Sequence, residues 1–140
     1  MARKIINRPE QKIQKAVFDH LKARGVPKIF YFHPFNGGKR SAIEAAIYKS
    51  LGARPGLPDV MVIKNGMTYG LELKANKGKL TDIQTETIFL MSHAGACVSY
   101  AVGLDAALAK LEEWELLRPN ASMPVLNSPT TGMVVTNKKS

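Results

Sequence analysis

The chain has 140 residues, with 20 Lys and Arg against 11 Asp and Glu, for a formal net charge of +9; this length makes one domain and excludes a multi-domain machine, while the charge makes a polyanion the first partner to consider. Residues 1–58 hold twelve basic and three acidic side chains and residues 59–140 hold eight of each, so the first 58 residues are a candidate nucleic-acid face. Cys97 stands alone, which excludes a disulfide framework and a CxxC zinc site; no uncharged apolar stretch reaches the roughly 18 residues of a membrane span, and the N-terminus has no signal-peptide pattern, so a cytoplasmic protein is expected.

Residues 10–24 read as a helix opened by Pro9 and stopped by Gly25. Its apolar stripe is Ile13, Val17 and Leu21, and helical spacing extends that stripe back through Gln14 to Glu10, while Lys12, Lys15, Asp19 and Lys22 take the opposite face. A carboxylate on the buried side of a helix asks for a task. Lys28–Phe35 reads as an aromatic strand, followed by the basic glycine-rich turn Asn36-Gly37-Gly38-Lys39-Arg40. Ser41 and Glu44 form a capping box that opens a second helix, ended by Gly52. The segment Ala53-Arg54-Pro55-Gly56-Leu57-Pro58 delivers the chain to Asp59.

Asp59–Lys64 and Met67–Ala75 read as two strands joined by Asn65-Gly66, the strongest short hairpin signal. Thr81 and Gln84 open a helix running to about His93, residues 96–102 form a last strand, and residues 105–117 a closing helix. The order is α-β-α-β-β-α-β-α, an α/β layer domain over residues 1–118, and residues 119–140 read as an extended or disordered tail.

A two-residue turn at Asn65-Gly66 pairs Lys64 with Met67 and, continued to the strand ends, sets Asp59 opposite Glu72. Like charges so placed repel, and a cation would offset the repulsion. Alternation along the second strand gives Leu71 and Leu73 to the core and leaves Glu72 and Lys74 together on the other face. Two carboxylates and an exposed main-chain carbonyl suit Mg²⁺ or Mn²⁺. An isolated Glu-x-Lys pair is otherwise a solvated strand face, and Asp59 by itself a turn residue.

These residues resemble the virus-type replication-repair nuclease (VRR-NUC) domain, a branch of the PD-(D/E)XK nucleases, over about residues 8–116. The resemblance is carried by Glu10 with Gln14, by Asn36-Gly37-Gly38-Lys39-Arg40, by Gly52 and Gly56-Leu57-Pro58-Asp59, by Leu71-Glu72-Leu73-Lys74, and by Gly78-Lys79-Leu80-Thr81 with Gln84. It implies a restriction-endonuclease-like α/β core and metal-dependent phosphodiester hydrolysis. By that match Asp59, Glu72 and the Leu73 carbonyl bind Mg²⁺ or Mn²⁺, Glu10 reaches the metal directly or through water, Lys74 serves the attacking water, and Gln84 joins the catalytic set, its other reading being a cap at Thr81. The resemblance further implies a homodimer in a bacterial or phage-infected cell, cutting branched DNA such as a Holliday junction or flap.

Candidate DNA contacts are Lys12, Lys15, Asn36, Lys39, Arg40, Arg54, Lys77 and Lys79. His20, His33 and His93 with Cys97 lack metal-ligand spacing, and His33 lies nearest the site. Trp114, with Leu108 and Leu111, reads as a core or dimer contact. The alternative function is a basic nucleic-acid-binding module whose acids are only structural.

Overall fold

The computed structural model describes residues 8–35 and 41–119. The elements follow the expected order: α1 (Pro9–Arg24), β1 (Ile29–Phe32), α2 (Ala42–Ser50), β2 (Val60–Lys64), β3 (Met67–Lys74), α3 (Asp82–His93), β4 (Cys97–Val102) and α4 (Leu104–Glu113). The strands form one sheet in the order β1-β2-β3-β4, antiparallel at the first two pairings and parallel between β3 and β4. A parallel pair needs a crossover connection, and α3 supplies it.

The β2–β3 hairpin fixes the register. Asn65 and Gly66 both take positive φ, 50° and 78°, as a type I′ turn requires. Lys64 pairs with Met67 and the ladder runs back to Val60 opposite Leu71, as expected from the turn. Alternation then sends Leu71 and Leu73 to one face, where both are fully buried. There they meet Val60 and Val62 of β2, Val17 and Leu21 of α1, and Ala107 and Leu111 of α4, which together form the core. Trp114 packs against this cluster with its ring 5.4 Å from that of Tyr69, the first of the two roles, core or dimer contact, expected of it. The opposite face carries Gly70, Glu72 and Lys74 and is covered by α3.

Two elements are shorter than their sequence pattern. β1 begins after Lys28, which takes a positive φ of 63°, and ends at Phe32, two residues before Pro34. α4 ends at Glu113, not at Leu117, because Glu115 turns at φ 63° and folds the chain back. That return buries Leu116 and Leu117 in the core and bridges Leu117 to Gly25. Gly25 is needed at that crossing, since a Cβ there would lie 2.5 Å from the Leu21 carbonyl oxygen.

Helix α2 has its capping box, with the Ser41 side chain accepting from Glu44 N at 3.1 Å. Yet every residue of it is exposed, including Ile43 at 74% and Ile47 at 52%. No described helix is long and apolar enough to cross a membrane. Residues 120–140 of the expected tail lie outside the described residues.

Candidate active site

Asp59 sits one residue before β2, at the end of the segment that Pro55 and Gly56 begin. That segment is clamped to α3. The buried Thr87 hydroxyl donates to the Pro55 carbonyl at 3.0 Å, and Gly56 at φ 79° passes so close that a Cβ would lie 2.8 Å from both Ile83 Cγ2 and Thr87 Oγ1. Pro58, also buried, rests on Gly70, where a Cβ would meet its Cγ at 2.9 Å. The chain therefore reaches Asp59 with little freedom. Because the ladder stops at Val60–Leu71, the Leu73 amide lies beyond the end of β2, and Asp59 Oδ2 accepts its hydrogen at 3.0 Å.

Glu72 and Lys74 are not a solvated strand face: they are 3% and 7% exposed. Gln84, in the first turn of α3, donates from Nε2 to Glu72 Oε2 at 2.7 Å, and Lys74 Nζ lies 3.6 Å from the same oxygen. Gln84 Oε1 meanwhile accepts from the Thr81 amide at 3.0 Å, completing the capping box. Gln84 thus caps α3 through one end of its amide and bonds Glu72 through the other. Glu72 Oε1 is buried with no hydrogen-bond partner among the described residues.

Burial, the nearby Asp59 carboxylate and Glu10 push the Glu72 carboxyl up to about 7, against the opposing effect of Lys74. Asp59 is raised as well, chiefly by burial, although the Leu73 amide, His33 and Lys74 favour its charged form. Two acids that both resist ionisation, beside an unpartnered buried carboxylate oxygen, form a site short of positive charge.

Glu10 is exposed in the first turn of α1, so the helical stripe reaches it beyond the edge of the core. Its charge raises both Asp59 and Glu72, but the described residues hold no cluster of three or more His, Cys, Asp or Glu side chains arranged for a metal. Among the candidate DNA contacts, Lys12 is exposed and Lys15 pairs with Asp19 at 2.8 Å. Lys77 and Lys79 are exposed on the loop that follows Lys74, shaped by a Gly78 N to Ala75 O bond of 2.8 Å. Arg54 lines an open cavity of about 390 Å³ between the end of α2 and α3, with Lys49, Glu86 and Leu90. Asn36, Lys39 and Arg40 lie outside the described residues. Thr87 was not legible as a site residue, since its partner Pro55 is 32 positions away.

The donor set fits a small hard cation. Mg²⁺ is commonly held by one or two carboxylates with water in its remaining positions, so the Asp59 and Glu72 carboxylates would suit it without a third acid. A divalent charge would also meet the orphaned Glu72 oxygen and relieve the repulsion between the two carboxylates.

No protein-family model matches the sequence, and no curated protein matches it significantly. A solved structure described as a VRR_NUC domain protein does match in shape, with a TM-score of 0.64 at 20% identity over 79% of this chain and 91% of that one. The chain therefore has the fold of a VRR-NUC domain, an α/β restriction-endonuclease-like core with a mixed sheet flanked by helices.

Proposed function

We propose that a chain with this fold and this pair of acids is a metal-dependent DNA endonuclease, in which Asp59, Glu72 and the Leu73 carbonyl hold Mg²⁺ or Mn²⁺ and Glu10 contributes directly or through water. The observation that carries the reading is Glu72: a buried carboxylate with one oxygen fixed by Gln84 and the other without a partner among the described residues, beside a second raised carboxylate. A fold shared with a VRR_NUC domain protein supports the reaction class.

A divalent ion there supplies charge neutralisation at a phosphoryl oxygen and makes water acidic enough to yield hydroxide near neutral pH. The remaining work falls to the chain. Asp59 and Glu72 must be ionised to hold the ion, and Gln84 keeps Glu72 turned so that Oε1 is the free oxygen. Lys74, its ammonium beside Glu72 Oε2, orients the attacking water and stabilises charge on the phosphate. Lys77 and Lys79, on the loop after Lys74, hold the flanking backbone, joined by Arg54, Lys12 and Lys15 and by Asn36, Lys39 and Arg40 of the basic turn.

We further infer that the substrate is branched DNA, a Holliday junction or flap, met in the cytoplasm of a bacterial or phage-infected cell, and that the enzyme works as a homodimer. Two-fold pairing suits a nearly symmetric junction, and the uncovered α2 face, with Ile43, Ile47 and Leu51 at helical spacing, is apolar surface that a second copy would bury.

The test is incubation of labelled duplex, flap and four-way junction DNA with Mg²⁺, Mn²⁺ or EDTA. The parent protein is expected to cut the branched substrates with metal and not with EDTA, and Asp59→Asn and Lys74→Ala to lose cutting at least a hundredfold. Unchanged cutting in either variant removes the site assignment. Binding of every substrate with no cutting under any metal leaves the non-catalytic binding module.

A further inference from the structure

The β1–β2 ladder ends at Phe32 opposite Met61, and the two residues that follow β1 are His33 and Pro34. By continued register Pro34 falls opposite Asp59, and proline has no amide hydrogen to give. The His33 side chain takes over: its Nδ1 lies 2.8 Å from the Asp59 carbonyl oxygen. A carbonyl oxygen offers only lone pairs, so Nδ1 carries the hydrogen and donates it. His33 is otherwise exposed, and it is set apart from His20, which accepts a bond from Arg24 within α1, and from His93, which stacks on Phe89 within α3.

Asp59 is thus held on three sides. Its carboxylate is tied to the Leu73 amide, the preceding Pro58 is seated on Gly70, and its own carbonyl is tied by His33. The first two restraints act on β3 and its face, and only the third reaches across β2 to β1. Without it the peptide that follows Asp59 lies past the last β1 pairing and can rock, carrying the carboxylate with it.

We propose that His33 is a positioning residue, whose Nδ1–H to Asp59 carbonyl bond holds the Asp59 carboxylate in place for a divalent cation. This rests on the reading of Asp59 as a metal ligand. Groups that hold a ligand residue in place typically matter by 10–100-fold in metal affinity.

The test measures Mn²⁺ affinity of the full chain by electron paramagnetic resonance of free Mn²⁺, with DNA cleavage and the melting temperature in EDTA alongside. His33→Ala is expected to bind Mn²⁺ about tenfold more weakly. His33→Asn, which places an N–H donor the same number of bonds from the main chain, is expected to recover most of that loss. A fold defect would appear as a lowered melting temperature in EDTA, so a loss of Mn²⁺ affinity at the parental melting temperature separates the two. His33→Ala with parental affinity overturns the proposal, as does His33→Asn binding no better than His33→Ala. Asp59→Asn serves as the reference: if it too binds Mn²⁺ like the parent, the metal reading of Asp59 has failed, whereas if it alone loses binding, only the role of His33 has failed.

Discussion

Gln84 Nε2 donates to Glu72 Oε2 across 2.7 Å while Gln84 Oε1 accepts from the amide of Thr81, so one side chain both starts α3 and orients the buried acid. A residue with two such bonds separates under substitution. Gln84→Glu keeps an acceptor for the Thr81 amide but sets a carboxylate against Glu72, whereas Gln84→Ala loses both bonds. Gln84→Ala is expected to cost roughly 2 kcal/mol, at about 1 kcal/mol net for each of the two hydrogen bonds lost. Gln84→Glu is expected to be tolerated at pH 5 and to melt well below the parent at pH 8, where Glu72 is charged. Melting curves at the two pH values check this; parallel behaviour of the two variants would refute it.

The raised Glu72 carboxyl predicts how stability depends on pH without metal. Its ordinary value is 4.5 and burial, with Asp59, brings it to about 7 in the fold, so the native state holds the proton longer than the unfolded chain. The stabilisation is complete below about 4.5 and is lost as pH rises through about 7. Asp59, shifted in the same direction, adds to the trend. In EDTA the melting temperature of Glu72→Gln should fall less between pH 5 and 8 than that of the parent. An equal fall in both proteins would show that Glu72 keeps an ordinary carboxyl.

Metal should reverse that slope. Cation binding requires both carboxylates ionised, so Mn²⁺ is expected to raise the melting temperature more at pH 8 than at pH 6. At a hundred times the dissociation constant the stabilisation is about 2.7 kcal/mol. Asp59→Asn is expected to lose the metal-dependent shift in differential scanning calorimetry while still unfolding cooperatively.

Two glycines with positive φ separate backbone strain from steric contact. Gly52, at φ 101°, has open space where a Cβ would go, while Gly56, at φ 79°, faces Ile83 and Thr87 at 2.8 Å. Gly52→Ala should cost roughly 1 kcal/mol of strain, and Gly56→Ala clearly more, because it must also push the 53–58 segment off α3. Urea denaturation gives both values, and equal costs would mean that the clamp on Asp59 is loose.

The α2 face yields a prediction on assembly. Ile47→Lys is expected to leave the melting temperature of the fold unchanged and to convert a dimer to a monomer in analytical ultracentrifugation. A parent already monomeric at high micromolar concentration would remove the homodimer from the proposed function.

Much of the placement of the candidate site residues could be read from the sequence because its central pairing is local. Asn65-Gly66 sets a register that carries through to Val60–Leu71, and period-two alternation then places Glu72 and Lys74 on one face. What sequence did not disclose depends on contacts between distant segments. Thr87 meets Pro55, and the end of α4 is set by Leu116 and Leu117 entering the core against α1, which a helical pattern running to residue 117 conceals. The exposure of Glu10 has the same origin: spacing shows which side of a helix a residue lies on, but not where the neighbouring layer ends. Helix α2 is announced by its capping box, and nothing in its own residues says that the described fold leaves it exposed all round.

The position of α3 in the crossover governs when the site can exist. Both acids are on the chain by residue 72, yet Gln84, which orients one, and Thr87, which pins the segment before the other, come later, on the helix that links β3 to β4. During synthesis a ribosome would release the hairpin with both carboxylates but without the grip that shapes them. A nascent or prematurely ended chain stopping before α3 would thus carry both acids without the bonds that Gln84 and Thr87 give their surroundings.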